Sequence, residues 1–380
     1  MGLCLVSKFK KPKIIDLFAG GGGFSLGAAR AGFSVAASVE IDPYANETHQ
    51  RNFPNSVHIG TDIAKLSGES LLETAGIKLG ELDGLIGGPP CQGFSTIGKR
   101  DPKDTRNTLF EHFMRLVNET RPAFFVAENV PGILSENNEH VYKTALNLLS
   151  KEYVVLKPTK VCAANFGAPT IRTRVFFVGY DPKRINELTD SIFQPIVPNL
   201  HTNVGDALKG LPVKISSSWQ TEADSWRAVE DLMPSFFAKR AQGMIPKGVG
   251  DQFAMDAFRE SKFVSGCFGT LHAPNIAARY DQLKPGQQDN ISKSVRLKID
   301  GFCPTLRAGT GSDKGSYQAV RPIHPNQARV ITPREAARLQ GFPDWFLLHN
   351  TKWHSFRQLG NSVSPIVAES VLKQIASKLL

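Results

Sequence analysis

The stretch "IIDLFAGGGGFSLGAARAGF", residues 14 to 33, reads as a buried strand, a glycine-rich turn and a helix. Ile14, Ile15 and Leu17 form a short apolar run without the alternation of a half-exposed strand, as expected of a strand covered on both faces. The four glycines that follow allow a tight turn, and a helix starting there aims its backbone N–H groups at whatever lies over that turn. The spacing departs from G-x-G-x-x-G, because the sixth residue is Ser25 counted from Gly20 and Leu26 counted from Gly21. A dinucleotide is therefore not implied. By itself such a turn is most often only a turn. The next apolar run ends in Glu40, whose carboxylate suits two ribose hydroxyls, and Asp62 follows a third strand, where it suits an exocyclic amine. Together these positions predict a nucleoside cofactor.

Between residues 13 and 180, the runs "KIIDLF", "SVAASVE", "LDGLIGG", "PAFFVAENV" and "RVFFVGY" alternate with helical segments such as Pro43 to Phe53 and Thr108 to Thr120. The expected fold is α/β, a doubly wound and mostly parallel sheet with ligands at the carboxyl ends of its strands. From 182 to about 328, isolated aromatics among Pro, Gly and Ser show no lasting period, which predicts a second, smaller, loop-rich domain. Helical order returns in "TPREAARLQGF", where Thr332, Pro333 and Glu335 make a capping box. The closing segment "SVSPIVAESVLKQIASKLL" is apolar at helical spacing and is expected to pack back on the first domain.

The chain has 380 residues and a formal net charge of +10, which favours a polyanionic partner. Its five cysteines are scattered and form no C-x-x-C pair, so neither a disulfide framework nor a zinc cage is expected. The first residues, "MGLCLVSKFKKPK", carry too short an apolar run for a signal peptide and lack a myristoylation pattern. No apolar run reaches the roughly 18 residues of a membrane span.

In "LIGGPPCQGFSTIGKRD", residues 85 to 101, Cys91 follows a strand, with Pro89 and Pro90 stiffening one side and Gly93 and Gly98 loosening the other. A lone cysteine is usually inert core, but this one is poorly placed for packing and reads as a thiolate nucleophile at the root of a loop. "AFFVAENVPG" puts Glu128 at the next strand end, where a carboxyl can protonate a ring nitrogen. "APTIRTRVFF" puts Arg172 and Arg174 on one side of a strand start.

With these motifs the chain resembles the DNA (cytosine-5)-methyltransferases, in order and over nearly its whole length: "DLFAGGGGFSLG", "VEIDPYA", "GTDI", "GGPPCQGFS", "ENVPGI", "FGAPTIRTRVFFVG", "RVITPREAARLQGFPDWF" and "QLGNSVSP". The resemblance implies S-adenosylmethionine as cofactor, double-stranded DNA as partner and a cytosine flipped out of the duplex. It implies a catalytic and cofactor-binding domain in residues 1 to 181 and 329 to 380, with a target-recognition domain in 182 to 328. Cys91 would add to carbon 6 of the base, Glu128 would hold and protonate its N3 edge, and Arg174 would bind the O2 side, with Arg172 beside it. Phe18, Gly20, Gly22, Glu40, Ile41, Asp62, Ile63, Gly88, Pro90, Leu109, Asn361 and Ser362 would contact the cofactor. No metal is implied.

Two departures stand out. Thr170 replaces the family's glutamine, and Ile41 stands where some members stack a tryptophan on the adenine. A compact chain without accessory regulatory domains is expected of a cytoplasmic, prokaryotic monomer, whether an orphan or the companion of an independently acting restriction endonuclease.

Among other readings, a zinc deaminase requires P-C-x-x-C and H-x-E, which are absent, and a dehydrogenase fails on the glycine spacing. A tRNA methyltransferase of the same fold and a catalytically inactive DNA-binding scaffold remain as alternatives. The Cys-Phe-Thr expected of the former appears only as "CFGT" from Cys267. Intact Cys91, Glu128 and Arg174 weigh against the latter.

Overall fold

The run at the head of the chain forms β1 (Lys13–Leu17), buried from Ile14 onward. The computed structural model describes residues 11–90, 108–215, 225–309 and 320–380, so Cys91 and the loop after it lie outside the described residues. β2 (Ser34–Val39) pairs parallel with β1, and β3 (Val57–Ile59) pairs parallel with β2. On the other side, β4 (Gly84–Gly87) pairs parallel with β1, and β5 (Phe124–Asn129) with β4. Three further strands, β6 (Val154–Val155), β7 (Thr159–Cys162) and β8 (Thr173–Tyr180), join antiparallel, with β8 against β5 and both shorter strands against β8. The order is 3-2-1-4-5-8-6, with β7 paired to β8 off that path. The sheet therefore reverses direction of growth between β1 and β4, which is where such folds open a ligand crevice.

Adjacent residues of each central strand feed opposite cores, as a pleated strand requires. Ile14, Ile86, Phe124 and Val178 face one apolar cluster, and Ile15, Leu85, Phe125 and Phe177 face the other. Four helices connect the parallel strands, α1 (Gly23–Arg30), α2 (Pro43–Asn52), α3 (Gly68–Thr74) and α4 (Thr108–Thr120), and α5 (Glu139–Asn147) leads from β5 to the antiparallel strands. Asp42 starts α2 by accepting from Tyr44 N at 3.0 Å and Ala45 N at 3.2 Å, with Pro43 in the first turn. α4 buries Phe110, Phe113, Leu116 and Val117 on one stripe in the second cluster.

Residues 182 to 328 carry short elements: α6 (Val204–Leu208), α7 (Phe236–Gln242), α8 (Gln252–Ser261), α9 (Pro274–Asp281), and an antiparallel pair, β9 (Arg227–Ala228) with β10 (Phe263–Val264). They are loop-rich, yet the apolar core does not break at residue 182. Val204, Phe237 and Val264 belong to the same cluster as Phe24 of α1.

The chain returns through α10 (Pro333–Gln340), α11 (Lys352–Asn361) and α12 (Pro365–Ala376). α10 begins with the reciprocal cap read from sequence: Glu335 N donates to Thr332 Oγ1 at 3.1 Å, and Thr332 N donates to Glu335 Oε2 at 2.7 Å. α12 packs on α1, with Ala368 so close to Gly27 that a side chain there would collide with it. Arg334 and Arg338 are buried. Arg334 donates to the carbonyls of Ser265, Pro343 and Phe346, and Arg338 pairs with Asp344 at 2.6 Å.

Candidate active site

At the end of β1 the backbone turns left-handed three times, at Phe18 (φ 57°), Gly20 (φ 55°) and Gly22 (φ 94°). Gly22 caps α1 and lies against the Phe53 ring, so no side chain fits there. At Gly20 an added Cβ would meet nothing within 4 Å, so open space lies over the turn. Glu40, just beyond β2, ties the two strand ends together. Its Oε2 accepts from Gly20 N and its Oε1 from Asp42 N, both at 2.8 Å. Burial pushes its pKa up, and the two backbone bonds oppose that shift. Each oxygen keeps a lone pair for a ligand hydroxyl. The open turn and the braced carboxylate fit a nucleoside.

The other expected contacts sit on separate elements. Asp62 caps a short helical turn, accepting from Ala64 N at 3.0 Å, and Ile63 beside it is buried. Ile41 is 66% exposed and thus leaves an apolar face uncovered. Leu109 packs, half-buried, on the α4 side of the sheet. Asn361 ends α11 and Ser362 caps it, where Ser362 Oγ crowds Gly23 at the start of α1. The chain's last helices thus close over the same turn.

The second half of the crevice lies at β4, β5 and β8. Gly88 and Pro90 follow β4, and a Cβ on Gly88 would have Glu128 Oε2 as its neighbour at 3.7 Å. Asn129 Nδ2 donates to Pro89 O at 3.1 Å, so the end of β5 anchors the diproline that precedes Cys91. Glu128 is 6% exposed and burial raises its pKa, although Arg174 and then Arg172 pull the other way. Arg174 Nε lies 2.9 Å from Glu128 Oε1, at ion-pair distance but without hydrogen-bond alignment. Antiparallel pairing produces this meeting, because Glu128 and Asn129 at the end of β5 sit opposite Phe176 and Val175 near the start of β8.

Arg172 is placed differently. It is 2% exposed, donates to Leu306 O at 3.3 Å and leaves Nε without a partner. Burial first, and Arg174 second, lower its pKa to about 9.

Beneath the glycine turn runs a chain of buried polar groups that sequence reasoning did not find. Ser25 Oγ donates to Asp16 Oδ2 at 2.6 Å, His49 Nε2 lies 2.9 Å from Ser25 Oγ, and His49 Nδ1 lies 2.9 Å from His58 Nε2. Burial raises Asp16 to about 7 and pushes His49 well below 6.5. The available signal was an aspartate inside a strand covered on both faces. Among the described residues no group of three or more His, Cys, Asp or Glu could hold a metal ion, and no helix is long and apolar enough to cross a membrane.

A switch point between β1 and β4, a braced carboxylate after β2 and a buried acid beside an arginine at β5 and β8 place the protein in the class of doubly wound methyltransferases. Within that class, the C-5 cytosine-specific DNA methylases match residues 12–377. The chain belongs to that family and is a DNA (cytosine-5)-methyltransferase. It is 38% identical over 373 residues to the type II methyltransferase M.XorII of Xanthomonas oryzae, covering 97% of this chain and 85% of that protein. It is 33% identical to M.DdeI of Desulfomicrobium norvegicum, covering 96% and 88%. A crystal structure from E. coli, described as a DNA modification methyltransferase encoded within a prophage, superposes with a TM-score of 0.86 at 48% identity, covering 97% of this chain and 99% of that one. The S. pombe Dnmt2 methyltransferase shares the fold, with a TM-score of 0.59 at 16% identity. The family implies S-adenosylmethionine as methyl donor and DNA as substrate.

Proposed function

We propose that this chain methylates carbon 5 of a cytosine flipped out of a specific double-stranded DNA sequence, through a covalent adduct between Cys91 and carbon 6. The observation that carries this reading is the buried Glu128 beside Arg174, next to the Asn129–Pro89 bond that holds the approach to Cys91. Carbon 5 of cytosine is a poor nucleophile. Addition of the Cys91 thiolate to carbon 6 turns the ring into an enamine, and loss of the carbon 5 proton later expels the thiolate. Burial favours a proton on Glu128, which suits it to bond and protonate N3, and Arg174 beside it faces the O2 edge.

S-adenosylmethionine, when bound, supplies an electrophilic methyl group. Phe18, Gly20, Gly22, Glu40, Ile41, Asp62, Ile63, Gly88, Pro90, Leu109, Asn361 and Ser362 would hold it, with Glu40 taking the ribose. Residues 182 to 328 would read the DNA sequence, and the names of the relatives suggest a role beside a restriction endonuclease. The loop after Cys91 would close over the extruded base, whose flipping costs a few kcal/mol.

The test is bisulfite sequencing of DNA from cells expressing the protein, followed by trapping on duplexes carrying 5-fluorocytosine at the mapped site. A detergent-resistant complex that disappears in Cys91→Ser is expected, since a serine hydroxyl is far less ionised at neutral pH than a thiol. Methylation that maps to RNA alone would support the alternative substrate.

A further inference from the structure

The glutamine that the family carries next to its arginine pair is replaced here by Thr170, and the structure gives that threonine a definite partner. Thr170 and Cys303 are both fully buried and form an isolated parallel bridge between the start of the β8 arm and residues 303 to 308. Cys303 O accepts from the Thr170 hydroxyl and from Ile171 N, each at 3.0 Å, while Cys303 N donates to Pro169 O at 2.9 Å. Two residues further along, just before β8, Arg172 donates to Leu306 O at 3.3 Å.

The far side of residues 303 to 308 is equally constrained. Gly360 of α11 lies against Arg307 and Ala308 with no room for a Cβ, and Arg321 Nη1 donates to Arg307 O at 3.2 Å. The segment is therefore held between the arginine arm of β8 and the helix that ends at Asn361. Along it Cys303 and Leu306 are buried, whereas Thr305 and Arg307 are exposed. Five hydrogen bonds to its backbone fix its height, and two exposed side chains face outward from it.

We propose that Thr170 is a positioning residue that sets the register of segment 303 to 308 against Arg172 and Arg174, so that Thr305 and Arg307 meet DNA only when the target base is aligned with Glu128. This rests on the reading of the site as a cytosine methyltransferase. A hydroxyl suits the task because it bonds a carbonyl at close range from a fully buried position. Thr170 acts through Arg172 and the segment, and touches no reacting atom. Loss of its hydroxyl would leave Cys303 O with the Ile171 N–H alone, so the segment would stay docked but less sharply registered.

The test compares Thr170→Val, which keeps the shape and loses the donor, with Thr170→Ser, which keeps the donor. The kcat/KM for the cognate duplex is measured against duplexes with single base-pair changes, alongside S-adenosylmethionine affinity and thermal stability. In Thr170→Val, discrimination against altered sites is expected to fall about tenfold, the loss of one well-made hydrogen bond, with cofactor affinity unchanged. Thr170→Ser should restore it. A purely structural role would lower stability and leave the discrimination ratio intact, so an unchanged ratio in Thr170→Val overturns the proposal, as does an equal loss in Thr170→Ser. A wild-type protein that methylates no DNA cytosine removes the parent reading instead, and the wild-type control separates the two failures.

Discussion

At the residue scale, burial decides which charged groups do chemistry and which hold structure. Glu40 is braced by two backbone donors, so its carboxylate is set before any ligand arrives. Glu40→Ala is expected to weaken S-adenosylmethionine binding by about 2 to 3 kcal/mol, the scale of a charge-assisted bidentate contact, with DNA affinity nearly intact. Calorimetry returning wild-type cofactor affinity would place the ribose elsewhere. Asp16 makes a different prediction. Its carboxyl moves from 3.8 to about 7 on folding because burial disfavours the charge. The folded state therefore holds a proton that the unfolded chain has released, and stability from this group falls as pH rises from about 4 to about 7. His49, pushed well below 6.5, opposes this trend by costing stability as pH falls below 6.5. Asp16→Asn removes only the first effect. Its stability relative to wild type should therefore improve by a few kcal/mol between pH 5 and pH 8, at about 1.4 kcal/mol per pH unit of difference traversed. Urea titrations at both pH values showing a constant difference would mean that Asp16 stays ionised in the fold.

At the element scale, the arginines of α10 explain why the loop-rich half of the chain packs as part of one core. Arg338 and Asp344 are both fully buried and doubly bonded, and Arg338 also donates to the carbonyls of Ala207 and Lys209 at the end of α6. Arg338→Met leaves Asp344 as a buried, unpaired charge and should cost about 3 to 5 kcal/mol in urea unfolding. Adding Asp344→Leu should recover a large part of that loss, whereas a double variant no more stable than Arg338→Met would show that the carbonyl bonds, and not the charge pair, carry the cost. These contacts also mark what sequence could show. β1, β2, β4, β5 and β8 were legible because a strand buried on both faces has to be a continuous apolar run, and the α10 cap was legible because its three residues act locally. β6 and β7, at two and four residues, carry no such run and exist only through pairing with β8. Glu128 and Arg174 were readable as chemical types at strand ends. Their contact was not, since it depends on β8 running antiparallel to β5. For the same reason the burial of Arg172 could not be read from a motif that treats the two arginines alike.

At the scale of the whole molecule, the net charge of +10 is left to the surface that DNA meets, because buried arginines such as Arg172, Arg334 and Arg338 are matched by buried carboxylates such as Glu128, Glu335, Asp344 and Glu369. What ties the proposed reading segment to the catalytic half is mainly backbone-directed. Arg329 donates to Val213 O, Arg334 to Ser265 O, and Thr170 and Arg172 to the carbonyls of Cys303 and Leu306. Carbonyls are present whatever the side chain, so a segment with a different reading surface can dock on the same arms. Side chains of the segment also take part: Arg240 pairs with Glu369 of α12 at 2.7 Å, Asp251 with Arg51 at 3.0 Å and Gln242 with Asp344 at 3.1 Å, and Ser265 Oγ accepts from Arg334 and Leu348 N. A graft of residues 212 to 327 into a related methyltransferase, with Glu369, Arg51 and Asp344 kept opposite Arg240, Asp251 and Gln242, should therefore fold and carry its own methylated sequence with it. Bisulfite sequencing of the host's DNA reads the result directly. An active chimera that still methylates the host enzyme's original sequence would locate specificity outside this segment, and would remove the role proposed for Thr305 and Arg307 along with it.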